Sequence, residues 1–474
     1  MSVLLSLVLL MPLAAALFGA AFIRTISGIR FLSMTSSFFV ILFTFSLWVG
    51  FLNFDFSLHL YSIDFFGLSW SMGLDGLVMA FLLLIALLMP ICFLSIQGVS
   101  EREREYSLSL LVLQFCMTGV FLVQNILLFY VFFEAVLIPM YFIVGALGSR
   151  SRRIYAAYQL LLYTLFGSIP LLFAIIYIYL LTGSFEMSYL VTYKFSPEVE
   201  FYCWLAFFLG FAVKVPMVPF HIWLPEAHVE APTAGSVVLA AILLKMGTYG
   251  FIRYSIPLFP DASVYFAPFV ILLSGVAVVY TSLTTMRQVD LKKIVAYSSV
   301  AHMGIVTLGI FSFTPMAVNG AIFIMFSHAF VAGSLFLSIG VLYDRYKTRV
   351  YKYYSGLVQI MPIFTTLFLF FTMANLGLPG TSSFPGEFMI LLASLDRDVL
   401  AAVVVTTGAV LSSAYALWAF NRFSFGVSKV QHIYFLSDLS WKEAACIAPL
   451  AFLTLFFGVY PDPLLKLVGV SLVY

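Results

Sequence analysis

Charge is scarce in this chain of 474 residues. Asp, Glu, Lys and Arg together make up 9% of it and 63% of the residues are hydrophobic, whereas an average soluble domain is about 25% charged. This shortage excludes a soluble globular protein, because a soluble fold of this length needs more polar surface to cover its core. The net charge of +2, without a basic run among aromatic residues, also excludes a nucleic-acid-binding surface. A single polytopic membrane domain is the fold class that remains.

Cysteine is scarce as well. The four cysteines lie far apart in apolar stretches, and no Cys-x-x-Cys spacing could hold zinc or an iron–sulfur cluster. We therefore expect the four cysteines to be core residues that carry no chemistry. The sequence also lacks a glycine-rich dinucleotide fingerprint and a flavin motif.

Long apolar runs take the place of charge. Because about 20 apolar residues cross a bilayer as one helix, the runs predict an all-α membrane protein with fourteen spans. The N-terminal run has no basic residue before it and is expected to be the first span, not a cleaved signal peptide. The predicted spans are 2–22, 32–52, 75–97, 107–123, 125–147, 155–182, 202–222, 234–255, 264–284, 292–312, 315–342, 357–395 with an interruption, 399–421 and 441–460.

Basic residues alternate between the two sides of these spans. Loops after odd-numbered spans hold 17 of the 23 Lys and Arg residues, the other loops and the C-terminal tail hold four, and two lie within spans. Because Lys and Arg stay on the side from which a chain is inserted, both termini are expected on the side opposite the basic loops.

Titratable residues occur inside six of the predicted spans. A charged side chain in the middle of a membrane costs about 2.5–3.5 kcal/mol on insertion scales, so each one marks a candidate functional position. A structural hydrogen bond or ion pair is the alternative for any single residue. Six such residues in six spans nevertheless offer successive sites for a proton, and they are Glu134, Lys214, Lys245, His302, His328 and Glu387.

The types of these residues suit proton transfer. Removal from water disfavours a charged amine and a nearby carboxylate favours it, so Glu134 and Lys214 would form a switch. Histidine titrates near neutral pH at two ring nitrogens, and His302 and His328 therefore suit intermediate positions. The two histidines and two glutamates within 221–235 could instead form a metal site, although the prolines there are typical of a rigid turn.

Proline and glycine interrupt two of the predicted spans. Pro216 and Pro219 follow Lys214 in span seven, and a proline inside a helix removes a hydrogen bond and clashes with the preceding turn. The stretch "NLGLPGTSSFPGE" interrupts span twelve and ends at Glu387. Paired interrupted helices are typical of transporters with inverted repeats.

Sequence offsets indicate where such repeats lie. Lys214 precedes Glu387 by 173 residues, and Glu134 precedes His302 by 168. Both offsets correspond to five spans, and an odd number of spans reverses the direction of each matched helix. The predicted divisions are three N-terminal spans at 1–106, a first repeat at 107–255, a second repeat at 264–421 and a C-terminal span at 422–474.

Longer motifs resemble a known family. "FAVKVPMVPFHIWLPEAHVEAPTAGSV", "ILLKMGTYGFIRY", "DLKKIVAYSSVAHM" and "LPGTSSFPGEF" resemble the chain 4 family of antiporter-like membrane subunits in respiratory complex I, the proton-pumping NADH:ubiquinone oxidoreductase. The resemblance runs from about span three to span thirteen. It implies fourteen helices, two inverted five-helix repeats and broken helices seven and twelve.

The resemblance also implies a role for each buried residue. Glu134, Lys214 and Lys245 match proton-transfer positions on helices five, seven and eight. His302 and His328 match relay positions on helices ten and eleven, and the helix-twelve position, where sister subunits usually carry lysine, is here the remaining carboxylate, Glu387. NADH, FMN, iron–sulfur clusters and ubiquinone would bind partner subunits, and the other membrane subunits, including the antiporter-like paralogues, would be neighbours in the bilayer.

Other functions stay open at this point. A subunit of a multi-subunit cation/proton antiporter would share the fold and much of the charged set. A haem protein with His302 and His328 as axial ligands, or a structural scaffold, are further alternatives. The many Phe and Tyr residues, 52 and 26, are typical of an organelle-encoded gene product, which favours the mitochondrial inner membrane over a bacterial plasma membrane.

Overall fold

The computed structural model describes residues 2–52, 59–65, 68–96, 102–148, 151–426 and 437–469. Twelve helices in this part of the chain are long and apolar enough to cross a membrane, which confirms the helical multi-pass fold. We number the helices to match the predicted spans. They are α1 Ser2–Phe22, α2 Ile26–Leu52, α3 Gly76–Ile96, α4 Glu103–Leu122, α5 Ile126–Gly145, α6 Arg153–Thr182, α7 Pro197–Lys214 with Trp223–Glu230, α8 Thr233–Leu258, α9 Pro260–Met286, α10 Leu291–Phe311, α11 Pro315–Tyr346, α12 Pro362–Asn375 with Ser383–Arg397, α13 Val399–Ser424, α14 Trp441–Val459 and α15 Asp462–Gly469.

Helices α7 and α12 each consist of two shorter helices, as the prolines predicted. The first half of α7 ends at Lys214, just before Pro216 and Pro219, which have no backbone N–H to donate to a continuing helix. The two halves of α12 are separated by the glycine- and proline-rich stretch 376–382. Because these two helices are interrupted, the total of fourteen spans stays a prediction.

A short hairpin adds to the predicted helices. Strands β1 (His59–Phe65) and β2 (Leu68–Leu74) pair antiparallel, with His59 opposite Leu74. Met72 forms a further bridge to Val123, in the turn between α4 and α5. Short single-turn helices at Met187–Leu190, Tyr351–Tyr353 and Leu357–Ile360 complete the described regular structure.

The centre of the fold is formed by α8, α10 and α11. Helices α8 and α11 are buried throughout their apolar windows and α10 almost throughout, so the three helices that carry Lys245, His302 and His328 are surrounded by protein. The outer helices expose apolar side chains, such as Leu162 and Phe173 of α6. An apolar exterior around a centre with charges is expected for a chain in lipid.

Three basic residues that the sequence analysis counts in loops are held by protein contacts. Lys292 and Arg349 are buried, and Arg253 pairs with Asp75 at 2.9 Å. These residues lie at or close to the ends of predicted spans, where a sequence window cannot tell a solvated loop from a helix end that packs under a neighbouring helix.

Candidate functional site

A carboxylate and an amine meet where α5 and α7 are both interrupted. Lys214 Nζ lies 3.8 Å from Glu134 Oε1, with the two side chains 3% and 16% exposed. The same Nζ donates a 2.5 Å hydrogen bond to the backbone carbonyl of Phe133 and lies 3.9 Å from the centre of its ring. Pro139 cannot donate to the carbonyl of Ala135, and the helical ladder of α5 is interrupted there. The sequence-predicted pair is therefore brought together by helix breaks.

Close packing holds the two halves of α7 together and places α8 against the break beside this pair. Trp223, the first residue in the second half of α7, donates its indole N–H to the carbonyl of Val213. Gly247 of α8 packs against the break, since a Cβ at that position would lie 2.6 Å from Val215 Cγ2. A glycine is therefore required where α8 passes the α7 break.

Lys245 and His328 form the second contact of the site. Lys245 is fully buried, and its Nζ lies 2.8 Å from His328 Nδ1. The Nζ also donates a 2.5 Å hydrogen bond to the carbonyl of Ala240, which belongs to the π-helical turn Leu239–Leu243. A π-helical turn replaces the i→i−4 pattern, and such turns are frequent at functional sites.

Two further steps lead from His328 to the break in α12. The rings of His302 and His328 are 5.7 Å apart between centroids. His302 Nδ1 lies 3.6 Å from Glu387 Oε1, and Asn375, the last residue in the first half of α12, is next to His302. Gly377 follows with a φ of +72°, and a Cβ there would lie 2.3 Å from Glu387 Oε2.

All six sequence-predicted residues thus belong to one of two groups. Glu134 and Lys214 form the first group, and Gly247 and Val215 connect their surroundings to α8. The second group runs across α8, α11, α10 and α12, and it consists of Lys245, His328, His302 and Glu387.

His228 lies beside the second group, close to His328 and Lys245, and the sequence analysis did not place it there. Its side chain is completely buried and its ring stacks on Phe336 at 4.4 Å and 6°, and it lies within electrostatic reach of Lys292 and Lys245. The prolines around it predicted a rigid turn, whereas the structure forms a helix at Trp223–Glu230. The apolar residues Trp223, Leu224 and Ala227 were the available signal, because at helical spacing they place His228 on the buried face.

The alternative metal site gains no support. His221 packs against the rings of Tyr280 and Tyr297, and Glu226 pairs with Lys293 at 2.7 Å. These side chains do not converge with His228. Within the described ranges, no group of three or more His, Cys, Asp or Glu side chains is placed to hold a metal ion, and the four cysteines are buried and unpaired.

The interrupted helices and the buried charged line together define an antiporter-like membrane protein. Residues 123–412 match the family model described as NADH:quinone oxidoreductase/Mrp antiporter, TM. The chain is 54% identical to NADH-ubiquinone oxidoreductase chain 4 of Prototheca wickerhamii over 87% of this chain and 79% of that protein. It is 48% identical to the chain 4 protein of Arabidopsis thaliana over 94% and 90% of the two chains. The chain belongs to the NADH:quinone oxidoreductase/Mrp antiporter membrane family.

Solved structures show the same architecture. A chain of respiratory complex I from Thermus thermophilus with bound NADH matches with a TM-score of 0.87 and 31% identity, over 98% of this chain and 100% of that chain. A chain of the Mrp complex from Dietzia sp. DQ12-45-1b matches with a TM-score of 0.86 at 21% identity, over 100% and 97%. The second likeness concerns the fold alone.

Proposed function

We propose that this chain is a proton-translocating membrane subunit of NADH:ubiquinone oxidoreductase. It would couple quinone reduction on partner subunits to proton transfer across the bilayer through Glu134, Lys214, Lys245, His302, His328 and Glu387. The chain 4 relatives at 48–54% identity support the assignment to this complex. The observation that supports the proton path most directly is the row of buried titratable side chains across the centre of the fold, formed by the two groups described above. We refer to these six residues together as the buried line.

The spacing of the line suits controlled transfer. Only the Lys245–His328 contact, at 2.8 Å, is within direct hydrogen-bonding distance. Two further contacts, at 3.8 Å between Lys214 and Glu134 and at 3.6 Å between His302 and Glu387, need a bridging water or a side-chain movement before a proton can pass. The same holds between the Lys214 and Lys245 groups, whose surroundings are joined by the packing of Gly247 against Val215. Proton transfer across such gaps can be switched on and off by the movement of a water or a side chain. Energy from quinone reduction would reach this chain as a rearrangement of charge among these buried residues.

The Glu134–Lys214 pair and the His302–Glu387 contact also support the proposed repeats. Glu134 meets Lys214 of broken α7 in the first repeat, and His302 meets Glu387 of broken α12 in the second. These are the same residues that the sequence offsets matched. We therefore assign the repeats to 107–255 and 264–421, with 1–106 and 422–474 as flanking segments.

Redox chemistry belongs to partner subunits in this proposal. NADH, FMN, the iron–sulfur clusters and ubiquinone would bind there, and the apolar outer helices would contact lipid and the neighbouring membrane subunits. The plant and algal relatives favour the mitochondrial inner membrane, with the basic loops in the matrix. The 47% identical subunit M of Rhodobacter capsulatus keeps a bacterial plasma membrane as the alternative.

The test is Glu387→Gln, which removes the titrating carboxyl and keeps its size. We expect the complex to assemble and the number of protons moved per NADH oxidised in sealed vesicles to fall several-fold. Glu443→Gln is the matched control, because Glu443 pairs with Arg345 outside the line and its loss should leave coupling intact. Full proton stoichiometry in assembled Glu387→Gln would refute this proton path.

A cation/proton antiporter subunit is the second candidate. The shared fold with the Mrp complex favours it. Purification of the tagged chain discriminates the two functions, since an NADH oxidoreductase subunit should co-purify with flavin and iron–sulfur signals. A preparation that lacks both signals but exchanges cations for protons would favour the antiporter.

A further inference from the structure

Two cavities meet at one tyrosine beside the proposed proton line. The larger cavity, of about 180 Å³, lies between α9, α10, α12 and α13 and includes His302 and Glu387 in its wall. The smaller cavity, of about 30 Å³, lies between α10, α11, α12 and α13. Tyr415 of α13 lines both, and no other described residue does.

The cavities follow one another across the membrane. On α13, residues 405–412 line the larger cavity and 416–423 the smaller one; on α10, the corresponding stretches are 301–305 and 291–298. The helices therefore pass from one cavity to the other at the level of Tyr415. Because α10 begins directly after the basic segment that includes Arg287, the smaller cavity lies toward the basic side.

Polar groups make the larger cavity suitable for water. Tyr415 is buried, and its hydroxyl lies within electrostatic reach of Glu387, which lines this cavity. Ser282, also in the wall, has a buried hydroxyl without a hydrogen-bond partner among the described protein groups. A cavity of this size with several polar partners can hold ordered water.

We propose that Tyr415 is a gate that separates water around Glu387 from the smaller cavity on the basic side. The ring closes the passage between the two cavities, so that a proton at Glu387 does not return to the side from which it came. An apolar constriction that excludes water is a known means of gating a pore. This inference rests on the proposed proton path through Glu387, and it adds the residue that prevents protons from returning along that path to the basic side.

The test compares Tyr415→Ala with Tyr415→Phe in the assembled complex, reconstituted in sealed vesicles. Passive proton leak is measured with electron transfer blocked, and NADH:quinone turnover is measured separately. Tyr415→Ala should raise the leak several-fold while electron transfer continues, and Tyr415→Phe should keep the leak low because the ring remains. Phe423→Ala is the matched control, since this buried aromatic residue of α13 lines only the smaller cavity.

A wild-type leak in assembled Tyr415→Ala, or an equal leak in Phe423→Ala, would overturn the gate. If Tyr415→Ala does not assemble, Tyr415→Leu leaves a smaller opening and should give an intermediate leak; no rise in that variant counts against the proposal in the same way. Adding Glu387→Gln to the leaking variant should reduce the leak, and an unchanged leak would show that water bypasses Glu387. Because the leak is measured without electron transfer, its outcome is separate from the coupling measured in Glu387→Gln alone.

Discussion

At the scale of single residues, the buried amine of Lys214 has a carboxylate beside it. A buried charge without a partner is costly, and removal of one partner from a buried pair typically costs about 3–5 kcal/mol. Lys214 has Glu134 at 3.8 Å, and its amine also donates to the carbonyl of Phe133. The pair is therefore compensated but not closed into a direct hydrogen bond.

Glu134 provides a first prediction. Glu134→Gln removes the negative charge beside Lys214 and should lower proton-coupled quinone reduction several-fold. Glu134→Asp keeps a carboxylate and should be milder. The measurement is NADH:quinone activity and proton uptake of the assembled complex; equal activities of the Gln variant and the parent would contradict a coupled pair.

Gly377 provides a second prediction at this scale. Its φ of +72° is in the left-handed region, and a Cβ there would meet Glu387 Oε2 at 2.3 Å. Gly377→Ala should therefore displace Glu387 and reduce proton flux several-fold, beyond the backbone strain of about 1–2 kcal/mol. Gly380→Ala separates the two effects, because Gly380 has a φ of +91° and a Cβ added there would meet nothing within 4 Å. Equal flux in the two assembled variants would rule out the displacement.

At the scale of elements, the sequence predicted the broken helices but not their surroundings. Proline chemistry alone indicated the interruptions after Lys214 and before Glu387. The π-helical turns of α8, Leu239–Leu243 and Phe251–Ser255, have no residue-type signature, since π-helical hydrogen bonding follows from tertiary packing. The segment Trp223–Glu230 reads as a turn in the sequence because Pro225 lies within it and Pro232 follows it, and that interpretation also misses His228.

The buried position of Lys292 could likewise not be predicted from local sequence. This residue lies at the start of α10 and the sequence analysis counts it in a loop, but its Nζ donates to the carbonyl of Ala231 at 2.7 Å and to Ser236 Oγ at 3.1 Å. The amine thus binds Ala231, which directly follows the second half of α7, and Ser236 in the first turn of α8. Such a contact between residues 61 positions apart cannot be read from local sequence.

Lys292→Met tests this role. The change leaves the buried carbonyl of Ala231 without its amine donor, which should destabilise the chain by about 1–3 kcal/mol. Lys293→Met is the neighbouring control, because Lys293 forms a partly exposed ion pair with Glu226, and exposed pairs contribute about 0–1 kcal/mol. The readout is the abundance and thermal stability of the assembled complex on native gels; similar losses in both variants would show that Lys292 has no special part in holding α7.

At the scale of the whole molecule, the distribution of basic residues predicts a topology that labelling can check. All four native cysteines are buried, so they give little background. A cysteine replacing Lys194, in the connection between α6 and α7, and one replacing Gln288, between α9 and α10, should react with impermeant reagents from opposite sides of the membrane. Reaction of both from one side would contradict the arrangement of spans.

The whole-molecule account depends on one idea, that protons move along the buried line from Glu134 to Glu387. Lys245 lies at its centre, fully buried, with His328 at 2.8 Å. A lysine can give up its proton in a buried site, whereas an arginine keeps its charge throughout the physiological pH range. Lys245→Arg therefore separates a requirement for charge from a requirement for proton exchange.

The decisive measurement is proton flux per NADH oxidised in sealed vesicles, compared with the amount of assembled complex, for Lys245→Arg and Lys245→Ala. The account predicts that Lys245→Arg assembles yet moves protons several-fold more slowly, and that Lys245→Ala is also deficient in flux. A purely structural charge would give the reverse order, with arginine harmless and alanine poorly assembled. Full proton flux in assembled Lys245→Arg would contradict proton transfer through this residue.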